Sequence, residues 1–256
     1  MIRVDPMTDD VEIIPLATGY PVSPYGDYRD SHHYGGVISD SGYMYLPPAY
    51  SSDKLLKINM ADFTHEELAF DSDDTNTWIG CAKHPTEDKI LFLGGKVIRV
   101  WDCETDTFTD IKDGTNRACY DLVYDPRYNC MYGAYPNGVF ALMLDDYSII
   151  DSGWINYQET GYGIALGIDG WAYHLEGRYA FRYLFNGTTW TTYNMSYVQT
   201  ESDVGSDTPV LAGMALANDG SIYGVAASGA MTRLKFEGVK RRLPDYIVSS
   251  QHYGKY

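Results

Sequence analysis

Arg29, His32, His33 and Tyr34 form the best local group of side chains able to move protons. Histidine exchanges its proton near neutrality, a tyrosine can act as an acid, and an arginine can hold the anion that results. Joined by His174, Arg178 or Tyr162 from elsewhere in the chain, they would make an acid–base site. The plainer alternative is an exposed histidine pair in a loop, with Tyr34 packed in the core. Asp71 to Asn76 resembles a calcium loop in its acidity. It lacks the glycine that such loops carry at the sixth position and the glutamate at the twelfth, where this chain has Asn76 and Ala82. Gly-x-Ser-x-Gly, His-Glu-x-x-His, phosphate-loop and dinucleotide patterns do not occur. No catalytic residue, metal site or cofactor is therefore assigned, and whether the chain is an enzyme stays open, with a non-catalytic role favoured. Asn186-Gly187-Thr188 and Asn194-Met195-Ser196 are glycosylation sequons, but the turn chemistry of Asn-Gly already explains Asn186.

The elements that must position these residues are written several times. Tyr34 to Tyr45 reads as an apolar strand, a tight turn on Gly42 and a second strand that ends in an aromatic. Copies follow at Trp78 to Phe92, Tyr120 to Tyr132, Tyr162 to Tyr173 and Gly213 to Tyr223, with the aromatic at Tyr45, Phe92, Tyr132, Tyr173 and Tyr223. A second hairpin follows each copy, as in 56–59 to 68, 98–102 to 111, 140–143 to 150, 181–184 to 193 and 232–235 to 243. It also appears once at the start, as 2–5 to 11–14. A period of 40 to 50 residues made only of short strands, with no helical periodicity, is the mark of a radial β array.

Each repeat is then four antiparallel strands, A to D, which is one blade of a β-propeller. The expected fold is all-β, a single propeller domain over residues 1–256. Six outer hairpins against five inner ones suggest six blades. The tail, 245–256, would supply strands A and B of a closing blade to which residues 1–16 give C and D. Five blades with spare ends is the alternative.

The D–A and B–C connections of a propeller leave at one end. Tyr20, Tyr25, Tyr28, Tyr50, Trp78, Tyr135, Trp154, Tyr157 and Tyr162 map to that end or its rim, drawn from a supply of 24 tyrosines and 5 tryptophans. Flat aromatics beside Asp, Asn and Arg suit a sugar ring or a protein partner. The group from Arg29 to Tyr34 precedes an inner strand and so belongs at the channel mouth. There, joined across the ring by His174, Arg178 or Tyr162, it would form an acid–base site similar to those of propeller polysaccharide lyases.

The pattern Gly-Gly-Val-Ile-x-x-x-Gly-x-x-Tyr, with an Asp-rich turn after the next strand, resembles the blades of kelch-like, gluconolactonase-like and tachylectin-like proteins. It is most similar to the repeats of bacteriophage virion and tail proteins. The resemblance runs from Ile2 to Tyr256 and implies a fold; it brings no catalytic residue with it.

A net charge of -16 argues against nucleic acid as a partner. The basic cluster Arg233, Lys235, Lys240, Arg241 and Arg242 reads as a protected edge strand. No apolar run is long enough to span a membrane, and the first residues show no signal peptide, which suits a virion protein or a cytoplasmic one. Cys81, Cys103, Cys119 and Cys130 lack paired spacing and are expected as free thiols. The reading is a non-catalytic binding or structural module, of the kind found on phage-type virion surfaces, contacting a protein or a glycan. The alternative is an enzyme acting on a polysaccharide or a metabolite at the channel mouth.

Overall fold

In the computed structural model of the chain, the described residues are 2–4, 11–13, 36–47, 54–70, 80–94, 97–112, 119, 122–135, 138–153, 163–176, 179–197, 211–217, 220–226 and 231–234. They form strands and turns with no helix. Two compact units divide at Lys112 and Asp113.

In the first unit, β1 (Ile2–Val4) and β2 (Val11–Ile13) form an antiparallel pair. Next come β3 (Val37–Ile38), β4 (Tyr43–Leu46), β5 (Lys54–Asn59) and β6 (His65–Ala69), a four-stranded antiparallel meander. The same meander recurs as β7 (Gly80–Lys83), β8 (Lys89–Leu93), β9 (Val97–Asp102) and β10 (Thr107–Lys112).

The second unit repeats it as β11 (Leu122–Asp125), β12 (Cys130–Tyr135), β13 (Gly138–Met143) and β14 (Ile149–Asp151). A further copy is β15 (Ile164–Leu166), β16 (Ala172–Glu176), β17 (Tyr179–Phe185) and β18 (Trp190–Tyr197). Three strands of another follow, β19 (Leu211–Leu216), β20 (Ile222–Ala226) and β21 (Met231–Leu234). Four of the expected blades therefore show all four strands, paired in chain order, and a fifth shows three among the described residues. Within the first unit β3 packs near β7; within the second β15 packs near β11 and β19, so successive sheets meet through their first strands. Residues 245–256, expected to complete a closing blade, lie outside the described residues.

Turn chemistry explains why the strands stop where they do. Ser39 N–H donates to the Tyr43 carbonyl (2.8 Å) and Gly42 N–H to the Ser39 carbonyl (3.1 Å), which places Gly42 at φ +84°. A side chain rarely adopts that conformation, so glycine closes the loop. The same two bonds recur around Gly170 and Gly220. At the other hairpins of the blades, Asn59, Asp102, Asp146 and Asn186 accept backbone N–H groups two or three residues on. Asp102 and Asp146 thus place part of the chain's acidity in its turns.

The register corrects one position of the repeat. Strand A ends pair as Ser39 with Tyr43, His84 with Lys89, Asp125 with Cys130 and Gly167 with Trp171. The position equivalent to Tyr45, Tyr132 and Tyr173 is therefore Leu91, not Phe92. The nearest aromatic, Phe92, lies one residue on, and a shift of one residue moves a side chain to the other face. Tyr45 packs toward Trp101 of the following sheet (6.4 Å), whereas Phe92 packs back on Phe70 of the preceding one (5.1 Å).

The cores lie between sheets. Val37, Tyr45, Leu55 and Phe70 meet Ile90, Phe92, Val97 and Trp101 in the first unit. In the second, Val123, Tyr132, Ala134 and Ala141 meet Ile164, Ala172, Phe181, Tyr183 and Phe185. Trp190 leans edge-on against Tyr132 (5.0 Å) and donates its indole N–H to the Ile150 carbonyl (2.9 Å). Each aromatic pair of this kind adds about 0.5–1.5 kcal/mol beyond burial.

All four cysteines are free thiols, with Cys103, Cys119 and Cys130 buried. Burial and then the neighbouring carboxylates of Asp88 and Asp125 push the Cys103 and Cys130 thiols up to about 12, so they stay protonated and unreactive. Titration of the denatured protein without reductant should find four thiols; two or fewer would contradict this arrangement.

Candidate functional site

The two ends of each blade differ in what their polar groups do. At the end of the A–B and C–D turns, carboxylates tie elements together. The Asp88 carboxylate accepts the backbone N–H of Asp40 (2.8 Å) and of Ser41 (3.2 Å) in the preceding sheet, while Lys83 pairs with Asp40. Asp106 receives the Lys57 ammonium (2.5 Å) and the Tyr45 hydroxyl (3.3 Å), and the ammonium lies 4.7 Å from the Tyr43 ring.

In the second unit, Asp125 is wholly buried at the end of β11. It accepts Arg127 Nε (2.9 Å) and Nη2 (2.7 Å), the Arg127 backbone N–H (3.0 Å) and the Tyr132 hydroxyl. Arg127 Nη2 also donates to the Gly170 carbonyl (2.6 Å), binding one sheet to the next. A Cβ at Gly170 would collide with the Arg127 guanidinium, so a side chain there would have to displace it, besides the strain of a φ of +83°. Burial, above all, raises the pKa of Tyr132 and Tyr173, so both hydroxyls remain donors. These groups are connectors; the sequence marked Tyr132 and Tyr173 only as strand-end aromatics and did not single out Asp125 or Arg127. The signal available was an Asp two residues before Arg127, seven before Tyr132.

At the opposite end, two residues expected at a site hold the stem of one loop. Tyr135 ends β12 and is buried, and its hydroxyl donates to Asp151 Oδ1 (2.6 Å), which also accepts the Gly153 N–H (3.0 Å). Ser152 and Val139 bond each other twice, through Ser152 N–H to the Val139 carbonyl (2.9 Å) and Val139 N–H to Ser152 Oγ (3.1 Å). Gly138 is small for a reason: a Cβ there would lie 2.7 Å from the Tyr135 oxygen. This fixes the chain up to Gly153, where 154–162 begins.

His174 fixes the other stem. It sits on β16 opposite Ile164, fully buried, and its Nδ1 is 2.9 Å from the Gly163 carbonyl. A carbonyl only accepts, so Nδ1 carries the proton and Nε2 is bare, with no partner among the described residues. Desolvation by burial holds the imidazole neutral down to about 4. A buried ring bonded to backbone positions the chain; it is not placed to meet a substrate in solvent.

Segment 154–162 contains Trp154, Tyr157 and Tyr162, three of the expected recognition aromatics, and both of its stems are pinned by buried polar contacts. Tyr20, Tyr25, Tyr28, Tyr50, Trp78, Trp154, Tyr157 and Tyr162 lie outside the described residues themselves, as do Arg29, His32, His33 and Tyr34. Arg178 and the acidic stretch from Asp71 to Asn76 also fall outside them. Among the described residues no group of three His, Cys, Asp or Glu is arranged to hold a metal ion.

No protein-family model matches the sequence, and no curated protein does. Solved structures do match in fold. A streptogramin B lyase aligns over 84% of this chain and 72% of its own, at 17% identity and a TM-score of 0.58. A catalytically inactive virginiamycin B lyase from Staphylococcus aureus, with quinupristin, aligns over 84% and 73%, at 16% identity and a TM-score of 0.60. The extracellular domain of a hybrid two-component system from B. thetaiotaomicron aligns over 83% of this chain and 34% of its own, at 12% identity and a TM-score of 0.56. Together with the repeated four-stranded meanders, these likenesses decide the architecture. The chain is a β-propeller. Identities this low carry the fold alone. The described residues at the Tyr135 and His174 end, which flank 154–162, are the candidate site.

Proposed function

We propose that this propeller is a non-catalytic binding module of the kind displayed on phage-type virion surfaces, contacting a protein partner or a host glycan through its aromatic loops. The observation that carries the reading is the pinned stem of 154–162. Tyr135 and His174 are engaged with Asp151 and Gly163, so they hold the described residues on either side of 154–162, the stretch of sequence that contains Trp154 and Tyr157. Anchored flanks lower the conformational entropy that a segment between them loses on binding, and flat aromatic side chains suit such recognition. The sequence resemblance to virion and tail repeats supplies the viral setting. In material from the native source, the protein should co-sediment with particles. Recovery wholly in the soluble fraction, with no particle-bound pool, would contradict that setting.

The catalytic reading has the two lyases among similar folds in its favour. It would place Arg29, His32, His33, Tyr34 and Arg178 at the channel mouth. His174, proposed as their partner across the ring, is buried and bonded to backbone, which weighs against an acid–base role for it.

A further inference from the structure

Four outermost strands can be compared along their whole paired length, and three of them carry features that discourage another strand from joining. β6 carries Glu66 and Glu67, β10 carries Asp110 and Lys112, and β14 is three residues long and ends in Asp151. β18 differs. It runs eight residues, Trp190–Tyr197, without a charge, a proline or a glycine, and it is rich in the threonine and aromatic residues that favour strands. Among the described residues it is the last strand of its sheet, and Thr191, Thr192 and Tyr193 are exposed. Its pairing with β17 is regular from Trp190 to Asn194 and then slips, with Phe181 opposite Asn194 but Tyr179 opposite Tyr197. That bulge ends the flat edge, so Trp190 to Asn194 is the stretch available for pairing.

We propose that this edge pairs antiparallel with the same edge of a second copy of the chain, about a two-fold axis through Thr192. Charge selects the occupant. Two copies of β6 laid edge to edge would bring glutamates together, whereas two copies of Trp190 to Asn194 oppose no charges. In a chain of net charge -16, a neutral edge is where self-association costs least. The register is self-complementary, as a two-fold interface requires. Thr192 faces Thr192 of the other copy, and Thr191 faces Tyr193 in both directions, pairs that favour antiparallel sheets. The supporting face is built: Tyr193 packs edge-on against Trp171 (5.3 Å), and the Arg182 guanidinium lies 4.5 Å from the Trp171 ring. This surface belongs to the blade's outer edge, so the inference stands apart from the loop-end binding reading.

Sedimentation of the purified full chain over a concentration series tests it, beside Thr192→Lys, whose charge sits at an exposed position. The native chain should pass from monomer to dimer, more readily as salt screens its net charge. Thr192→Lys should stay monomeric at the same concentrations with an unchanged melting temperature. Amide exchange over 190–194 should slow in the native dimer relative to the monomer. A native chain that remains monomeric throughout would overturn the proposal. So would a dimer that Thr192→Lys leaves intact, or a dimer in which exchange over 190–194 is no slower.

Discussion

Between about pH 6.5 and about pH 4, the native protein is expected to lose roughly 3 kcal/mol of stability that a His174→Asn variant keeps. The folded imidazole is held neutral to about 4 by burial, while the unfolded one takes its proton near its ordinary value of about 6.5. A depressed folded pKa means that the unfolded state binds more protons in that window. The contribution is therefore complete above the unfolded value and is lost as pH falls toward the folded one. His84 shifts in the same direction, mainly through desolvation, and adds to the slope in both proteins. Carboxylates held low by turn hydrogen bonds, such as Asp62 and Asp146, act at lower pH, below their ordinary range. Asparagine can still donate to the Gly163 carbonyl but cannot titrate. Urea midpoints of the two proteins across the range would show the difference as a steeper fall in the native chain. Parallel curves would contradict the buried, neutral assignment of His174.

Removing the Asp125 carboxylate should cost about 3 kcal/mol, near the low end for breaking a buried ion pair because Arg127 is partly exposed. Asp125→Ala leaves the Tyr132 hydroxyl buried without its acceptor and releases the Arg127 guanidinium that reaches the Gly170 carbonyl. Asp125→Asn keeps an acceptor and so should fall between the two. Thermal unfolding is the measurement. An Asp125→Ala protein melting within a degree or two of the native one would show that the joint between these sheets does not depend on this carboxylate.

The repeat was readable because both of its signals are local. Alternating apolar residues mark the strands, and Gly42, Gly170 and Gly220 mark the loops that demand left-handed backbone. Phe92 was misaligned with Tyr45 for an equally local reason: the equivalent position holds Leu91, the aromatic lies one residue on, and a period-two element turns that into a change of face. Contacts between blades were not readable. Lys57 meets Asp106, Arg99 lies over Phe70 (4.7 Å), and Arg127 reaches Gly170, each across a distance in sequence that no spacing encodes. His174 looked like a partner for catalytic groups because a histidine near an expected channel is chemically suggestive. Its burial and its bond to Gly163 follow from the pairing of β15 with β16, which only the fold supplies.

Capture of a glycan array and of candidate virion proteins by two double variants tests the central claim most directly, with turnover of acidic polysaccharides followed in parallel. Trp154→Ala with Tyr157→Ala should weaken capture by more than about 1 kcal/mol if these aromatics are anchors. His32→Ala with His33→Ala should leave capture unchanged, and the native protein should turn nothing over. Turnover by the native protein that falls about 10²–10⁴-fold in the histidine double variant would contradict the binding module and place acid–base chemistry at the channel mouth.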